Sequence, residues 1–204
     1  MENFDLMAKD FDTAERIKRA KAIAGEIRLH VHDGDKKSAI EYGCGTGLVG
    51  FQLIDDFREI LFVDSSSGMI EQVRQKLSDL EKRTDCAICC DFMTDVPKNI
   101  KADYVFSSLV LHHIRDIEII LTRFYDLLHK SGHLLIVDLD ADDGSFHAKY
   151  PDFDGHNGFE QLNLIEIAKK VGFDKVEAKS FYFDKKKIKG REVPYSLFIL
   201  DAEK

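Results

Sequence analysis

Ser38-Ala39-Ile40-Glu41-Tyr42-Gly43-Cys44-Gly45-Thr46-Gly47-Leu48-Val49-Gly50 is a short, largely apolar run that breaks into glycines and then resumes with helical spacing. The first five residues suit a strand covered on both faces. Glycines directly after a strand let backbone amides approach a ligand closely, and a following helix turns its N-terminus to the same place. Leu48 to Ile54 is the expected helix.

Outward from this unit the pattern repeats. Upstream, Asp12 to His30 reads as a helix, capped by Asp12 or Thr13 and carrying Ile17, Ala20, Ala24 and Ile27 on one face. Downstream, strands are expected at Ile60–Asp64, Cys86–Cys90, Tyr104–Val110 and Leu134–Asp138, and helices at Met69–Leu80 and Ile117–Leu128. Strand–helix alternation over that length means a parallel sheet with helices on both faces. Glu160 to Val171 is a further helix. Strands at Lys175–Phe183 and Val193–Leu200 follow, with a basic loop, Lys185 to Arg191, between them. So short a connection makes that last pair antiparallel, since a parallel crossover needs a dozen or more residues.

The 204 residues are 44% hydrophobic and 32% charged, which excludes a disordered chain or a collagen-like fibre. With three prolines and no repeat or linker, the chain reads as one domain over residues 1–204. Residues 1–32 form its N-terminal helical cap, and 140–159 a substrate or lid loop. Twenty-nine basic against thirty-seven acidic side chains leave a net charge of −8, so nucleic acid is not an expected partner. No run reaches the ~20 apolar residues of a membrane span, and the N-terminus lacks a signal-peptide core. The expectation is a cytoplasmic chain without membrane insertion, its oligomeric state undetermined. Cys44, Cys86, Cys89 and Cys90 are too few and too clustered for a disulfide scaffold.

In open parallel sheets ligands sit beyond the carboxyl ends of the strands. The glycine run there parses two ways. Gly45-x-Gly47-x-x-Gly50 fits a dinucleotide fingerprint, whereas Gly43-x-Gly45-x-Gly47 after Glu41 fits a loop for the amino-acid part of S-adenosylmethionine. Asp64 ends the second strand, where a carboxylate can accept a ribose diol, and both cofactors have a ribose. Asp91-Phe92 after the third strand offers an acceptor for the adenine amine beside an aromatic face.

Glu41-x-Gly43-x-Gly45-x-Gly47, Val63-Asp64-Ser65-Ser66-x-x-Met69, Cys90-Asp91-Phe92, Asp103 to Ile114 and Leu128 to Ile136 stand in one order. In that order they resemble the motifs of class I S-adenosylmethionine-dependent methyltransferases, over about Ser38 to Val137. The Leu111-His112-His113 stretch and the segments Gly144 to His147 and Gly155 to Phe159 resemble the small-molecule branch related to quinone biosynthesis. The resemblance implies an α/β three-layer Rossmann-like sandwich around a seven-stranded, mostly parallel sheet. Its strand order would be 3-2-1-4-5-7-6, closed by an antiparallel hairpin. It also implies S-adenosylmethionine as cofactor, with the loop glycines Gly43, Gly45 and Gly47 at the methionine part, Asp64 at the ribose, and Glu41, Cys44 and Ser65 among the cofactor-binding residues. Met69, Asp91 and Phe92 would serve adenine, and Ser107 would lie near the sulfonium.

The implied activity is methyl transfer to a small-molecule acceptor. A nicotinamide-dependent dehydrogenase and a non-catalytic cofactor-binding adaptor are the alternatives. His112 follows the fourth strand, where an imidazole could take or orient a proton, and it is the candidate catalytic residue. His112, His147, His156 and Phe11 are the candidate acceptor contacts. Asp138, Asp140, Asp142 and Asp143 crowd the end of the fifth strand but read as a solvated acidic loop, and no metal is expected.

Overall fold

The computed structural model describes residues 4–80, 85–97, 99–150 and 152–204. The first three residues of the expected N-terminal cap lie outside that set. Among the described residues seven strands make one sheet: β1 (Ser38–Tyr42), β2 (Glu59–Asp64), β3 (Cys86–Cys89), β4 (Ala102–Ser108), β5 (Leu128–Leu139), β6 (Asp174–Ile188) and β7 (Arg191–Glu203). Their order is β3-β2-β1-β4-β5-β7-β6, the order the motifs imply. The first five pair in parallel, while β5–β7 and β6–β7 are antiparallel.

Helices α1 (Phe4–Met7), α2 (Ala14–Leu29), α3 (Gly50–Leu53), α4 (Ser67–Ser78), α5 (Ile117–Leu127) and α6 (Gln161–Val171) flank the sheet. Two buried clusters show the layers. Ile23, Ile27, Leu53, Ile70 and Val73 of α2, α3 and α4 meet Phe62, Phe106 and Ile199 on one face. Leu121 and Phe124 of α5 and Leu164 and Ala168 of α6 meet Ile40, Val105, Ile136 and Phe198 on the other. Rings as enclosed as Phe62, Phe106, Phe124 and Phe198 each contribute about 1.5–3 kcal/mol of burial.

Local chemistry sets the ends. The Thr13 side chain caps α2 and that of Ser66 caps α4, each accepting a first-turn amide, as Asp116 does for α5. Gly172, at φ 120°, stops α6.

Two expectations are corrected. The helix expected at Leu48–Ile54 is a single turn, Gly50–Leu53, because the left-handed Gly47 (φ 79°) keeps the chain coiled in turns until Gly50. The basic loop expected at Lys185–Arg191 is strand instead. β6 runs on to Ile188 and β7 starts at Arg191, so only Lys189 and Gly190, both at positive φ, make the turn. Two left-handed residues suit a tight hairpin, and the lysines alternate along its arms.

Candidate active site

β1 ends at Tyr42, and the chain turns so that the amides of Gly43 and Cys44 both donate to the Val63 carbonyl, at 2.8 and 3.0 Å. The loop is thereby tied to the end of β2. Asp64 completes the tie: Oδ2 accepts the Gly45 amide and Oδ1 the Ser66 amide, each at 2.8 Å. Burial pushes its pKa up and the two amides pull it back. Beneath the loop, Glu41 Oε1 accepts the Gly50 amide at 3.2 Å, and Oε2 is enclosed with no partner. Burial pushes the Glu41 pKa up to about 8. Only glycine fits at position 50, where a Cβ would stand 2.2 Å from that second oxygen. Cys44 is buried beside them, and Ser65 is exposed on the rim.

Aromatic packing closes the side of the loop next to the end of β3. Tyr42 stacks on Phe92 at 4.9 Å and donates its hydroxyl to Asp91 at 3.1 Å. Asp91 also accepts the Met93 amide, a turn role beside the one expected for it. Met69, Phe92 and Ser107 are buried, and the Ser107 hydroxyl donates to the Tyr42 carbonyl at 2.8 Å. These three support the crevice wall from behind.

The N-terminal segment crosses the crevice. Phe11 lies 3.6 Å from where a Cβ of Gly45 would be, and the Arg16 guanidinium lies over its ring at 4.0 Å. Asp5 accepts from the Ser66 hydroxyl at 2.7 Å and the Gly68 amide at 2.8 Å. Asp12 bonds the Thr46 hydroxyl, and Lys76 bridges Asp12 and the Thr46 carbonyl at 2.8 and 2.7 Å. Sequence reading missed Asp5, Asp12 and Lys76 here, because nothing local joins them to residues so far along the chain.

On the other side, His112 occupies a short turn after β4. Its Nδ1 lies 2.6 Å from Asp138 Oδ1 at the end of β5, and both residues are buried. Asp138 also accepts the amides of Leu139, at 2.8 Å, and His112, at 3.3 Å. Burial pushes the Asp138 carboxyl up, but its bonds to His112 and to the Leu139 amide hold it below its ordinary range. The His147 ring lies 5.2 Å from that of His112 and stacks flat on Phe153 at 3.8 Å. Its Nδ1 is buried without a partner, and burial, helped by His112 and Lys186, pushes its pKa down to about 4. His156 stands apart from this cluster. Its amide donates to the His112 carbonyl and its Nε2 lies 2.9 Å from that of Ile114, so it braces the 140–159 loop over the His112 turn. Gly155 permits that closeness, since a Cβ there would meet the His112 carbonyl at 2.1 Å.

Asp140 and Asp142 of the acidic crowd after β5 are taken up by hydrogen bonds within the protein, while Asp143 stays exposed to solvent. Asp140 accepts from Gln161, Ser180 and Ser196, and Asp142 from the amides of Gly144 and Phe146. A cavity of about 430 Å³ that these two line with Phe183 and Tyr195 therefore offers no carboxylate in want of a ligand. Among the described residues no group of three or more His, Cys, Asp or Glu is placed to hold a metal ion, and no helix is long and apolar enough to cross a membrane.

Comparison with known proteins separates the two parses of the glycine run. Residues 40–134 match the family described as the methyltransferase domain. An uncharacterised methyltransferase of Schizosaccharomyces pombe is 26% identical over 154 residues, which are 69% of this chain and 54% of that protein. Phosphoethanolamine N-methyltransferase 2 of Caenorhabditis elegans is 27% identical over 71% of this chain and 34% of its own length. The chain thus spans about half or less of the curated relatives it matches. Among solved structures, a Haloferax volcanii methyltransferase in complex with the Trm112 activator superposes with a TM-score of 0.78 at 15% identity, covering 100% of this chain and 98% of that one. Haemonchus contortus phosphoethanolamine N-methyltransferase 2, bound to phosphomonomethylethanolamine and S-adenosylhomocysteine, gives 0.73 at 17%, covering 90% of this chain and 52% of that one. Strand order, motif order and the matched family agree: residues 40–134 form an S-adenosylmethionine-dependent methyltransferase domain, set in the seven-stranded fold its solved neighbours share.

Proposed function

We propose that this chain transfers the methyl group of S-adenosylmethionine to a small-molecule acceptor held under the 140–159 loop. The observation that carries the reading is the meeting of two half-sites at the carboxyl ends of β1, β2, β4 and β5. One is the glycine loop tied to Asp64, and the other is the enclosed His112–Asp138 pair.

The cofactor half suits its ligand chemically. Each Asp64 oxygen accepts one amide and keeps a lone pair for a ribose hydroxyl. Glu41 keeps an enclosed oxygen without a partner under the loop formed by Gly43, Cys44, Gly45 and Gly47, an orphaned polar atom that a polar group of the ligand would satisfy. Ser65 stands at the ribose edge, and Met69, Asp91, Phe92 and Ser107 back the adenine side. When bound, the cofactor supplies an electrophilic methyl group on a positively charged sulfur. The protein's share is then position and orientation, worth roughly 7–11 kcal/mol when the reacting atoms are aligned.

The acceptor half favours something small. Backbone bonds between Asp140 to Asp142 and Asn157 to Phe159, and between His112 and His156, stitch the loop down. His147 and Phe153 pack beneath it. A roof so fastened suits a compact acceptor better than a nucleic acid, as does the net charge of −8.

Calorimetry with S-adenosylmethionine tests the first half, and transfer of labelled methyl into fractions of a cell extract tests the second. Binding with label in the low-molecular-weight fraction is expected. Label confined to RNA or protein overturns the acceptor assignment, and absence of binding overturns both.

A further inference from the structure

Away from the two half-sites, we infer that a groove at the roots of the 140–159 loop docks a segment of another protein, one that carries two apolar side chains flanked by lysine or arginine. Two cavities, of about 430 and 220 Å³, share Asp140 and Ala141 and so adjoin. The first lies between the loop and the β6–β7 hairpin, with Phe183, Pro194 and Tyr195 in its wall. The second lies against the start of α6, with Phe159 and Leu162 in its wall. Together they make one trough from the hairpin to α6.

Apolar exposure singles this trough out. Phe183 is 73% exposed and Leu162 75%, one in each cavity, whereas most large apolar side chains of the chain are buried. A single exposed leucine means little. Two large apolar side chains in adjoining depressions with a polar rim mark a surface that another chain covers.

Charge decides what kind of chain that is. Asp140, Asp142 and Asp184 line the first cavity and Glu160 the second. The donors to Asp140 are Gln161, Ser180 and Ser196, and those to Asp142 are the amides of Gly144 and Phe146. Each oxygen therefore has a hydrogen bond, yet neutral donors leave the negative charge standing. The ion pairs beside the trough, Lys18–Asp184 at 3.8 Å and Lys185–Glu192 at 3.0 Å, involve neither Asp140, Asp142 nor Glu160. Complementarity calls for cations on the occupant, which steer it in and fix its register. A nucleic acid or an anionic lipid surface would be repelled. A small cation would leave Phe183 and Leu162 uncovered.

Such a segment would touch both roots of the loop. The Ala141 amide donates to the Phe159 carbonyl at 3.1 Å and the Asp142 amide to that of Asn157 at 2.9 Å. A chain lying across Ala141 and Phe159 holds those bonds closed.

Fluorescence anisotropy of labelled synthetic peptides on the full chain tests this. One set carries a leucine and a phenylalanine at several spacings, flanked by lysines. A second set has glutamates for the lysines, and a third has serines for the apolar pair. The lysine-flanked set is expected to bind, with both control sets at least about tenfold weaker. Glu160→Lys, and Leu162→Ser combined with Phe183→Ser, should each weaken that binding about tenfold or more. These side chains are exposed, and thermal melts matching the native protein show that the variants are folded. Hydrogen exchange at Ala141 and Asp142 should slow when peptide is bound. No binding by any set, equal binding by a control set, or unchanged affinity in both variants would each overturn the inference. Self-association of the native chain that the same variants abolish would overturn it as well, since a second copy would then cover the groove.

Discussion

Glu41 accepts the Gly50 amide on one carboxyl oxygen at 3.2 Å and holds the other enclosed, without a partner, beneath the glycine loop. A carboxyl in that position keeps its proton up to about pH 8, whereas in the unfolded chain it ionises near its ordinary 4.5. Between those values the folded state binds more protons than the unfolded one. Stability therefore falls as pH rises, at up to about 1.4 kcal/mol per pH unit. Glu41→Gln keeps the acceptor for Gly50 and removes the ionisation. Thermal melts should nearly coincide with the native protein at pH 5, and the variant should melt higher at pH 8. Parallel melting curves from pH 5 to 9 would show that Glu41 ionises freely.

Among the described residues Asp64 is the one carboxylate that bonds both the glycine loop and the start of the α4 turn. Asp64→Asn keeps the shape of the group while removing its charge and one acceptor oxygen. Charge-assisted hydrogen bonds contribute about 1.5–3 kcal/mol, so affinity for S-adenosylmethionine should fall at least about tenfold. Calorimetry decides this, and an unchanged dissociation constant would place the ribose elsewhere.

At the opposite end of the sheet, Asp201 bonds two imidazoles, His30 Nδ1 and His133 Nδ1, each at 2.9 Å. The bond to Asp201 raises the His133 pKa, and the two histidines lower that of Asp201 despite its burial. A raised histidine pKa stabilises fully below its unfolded value near 6.5 and is lost as pH climbs through the folded value. A lowered carboxylate pKa stabilises above about 3.8 and is lost as pH drops through the folded value. The window where both act is thus about pH 4 to 6.5. Asp201→Asn should cost on the order of 1 kcal/mol there, and less at pH 8, by denaturant titration. A deficit that grows with pH would contradict this sign.

The parts legible in the sequence are those set by local pattern. β1 spans the five residues its apolar run predicts, and the strand order is the one the family resemblance implies, since alternation alone says only that the sheet is parallel. The His112–Asp138 bond was hidden because its members lie 26 residues apart on neighbouring strand ends, so only the pairing of β4 with β5 brings them together. Asp138 reads in sequence as one of four crowded acids. The lysines of the β6–β7 hairpin misled for another reason, since a run of like charges resembles a loop until cross-strand pairing lets them alternate between faces. Asp5, some sixty residues before its partners, carries no local signal at all.

The N-terminal strap carries the last prediction. Asp5 anchors one end of it on Ser66 and Gly68, Phe11 rests over Gly45, and Lys76 clamps Asp12. Asp64, between those anchors, bonds Gly45 and Ser66 directly, so a ligand on Asp64 lies beneath the strap and has to wait for it to lift. Asp5→Ala loosens the anchor outside the crevice and should speed both association and dissociation of S-adenosylmethionine, leaving the dissociation constant within about threefold. Phe11→Ala removes the cover itself and should speed dissociation alone, about tenfold, with affinity falling in proportion. Surface plasmon resonance gives both rates. Hydrogen exchange at Gly68, faster in Asp5→Ala, would show the anchor released. Rates equal to native in both variants would mean that the cofactor enters by a path the strap does not cover.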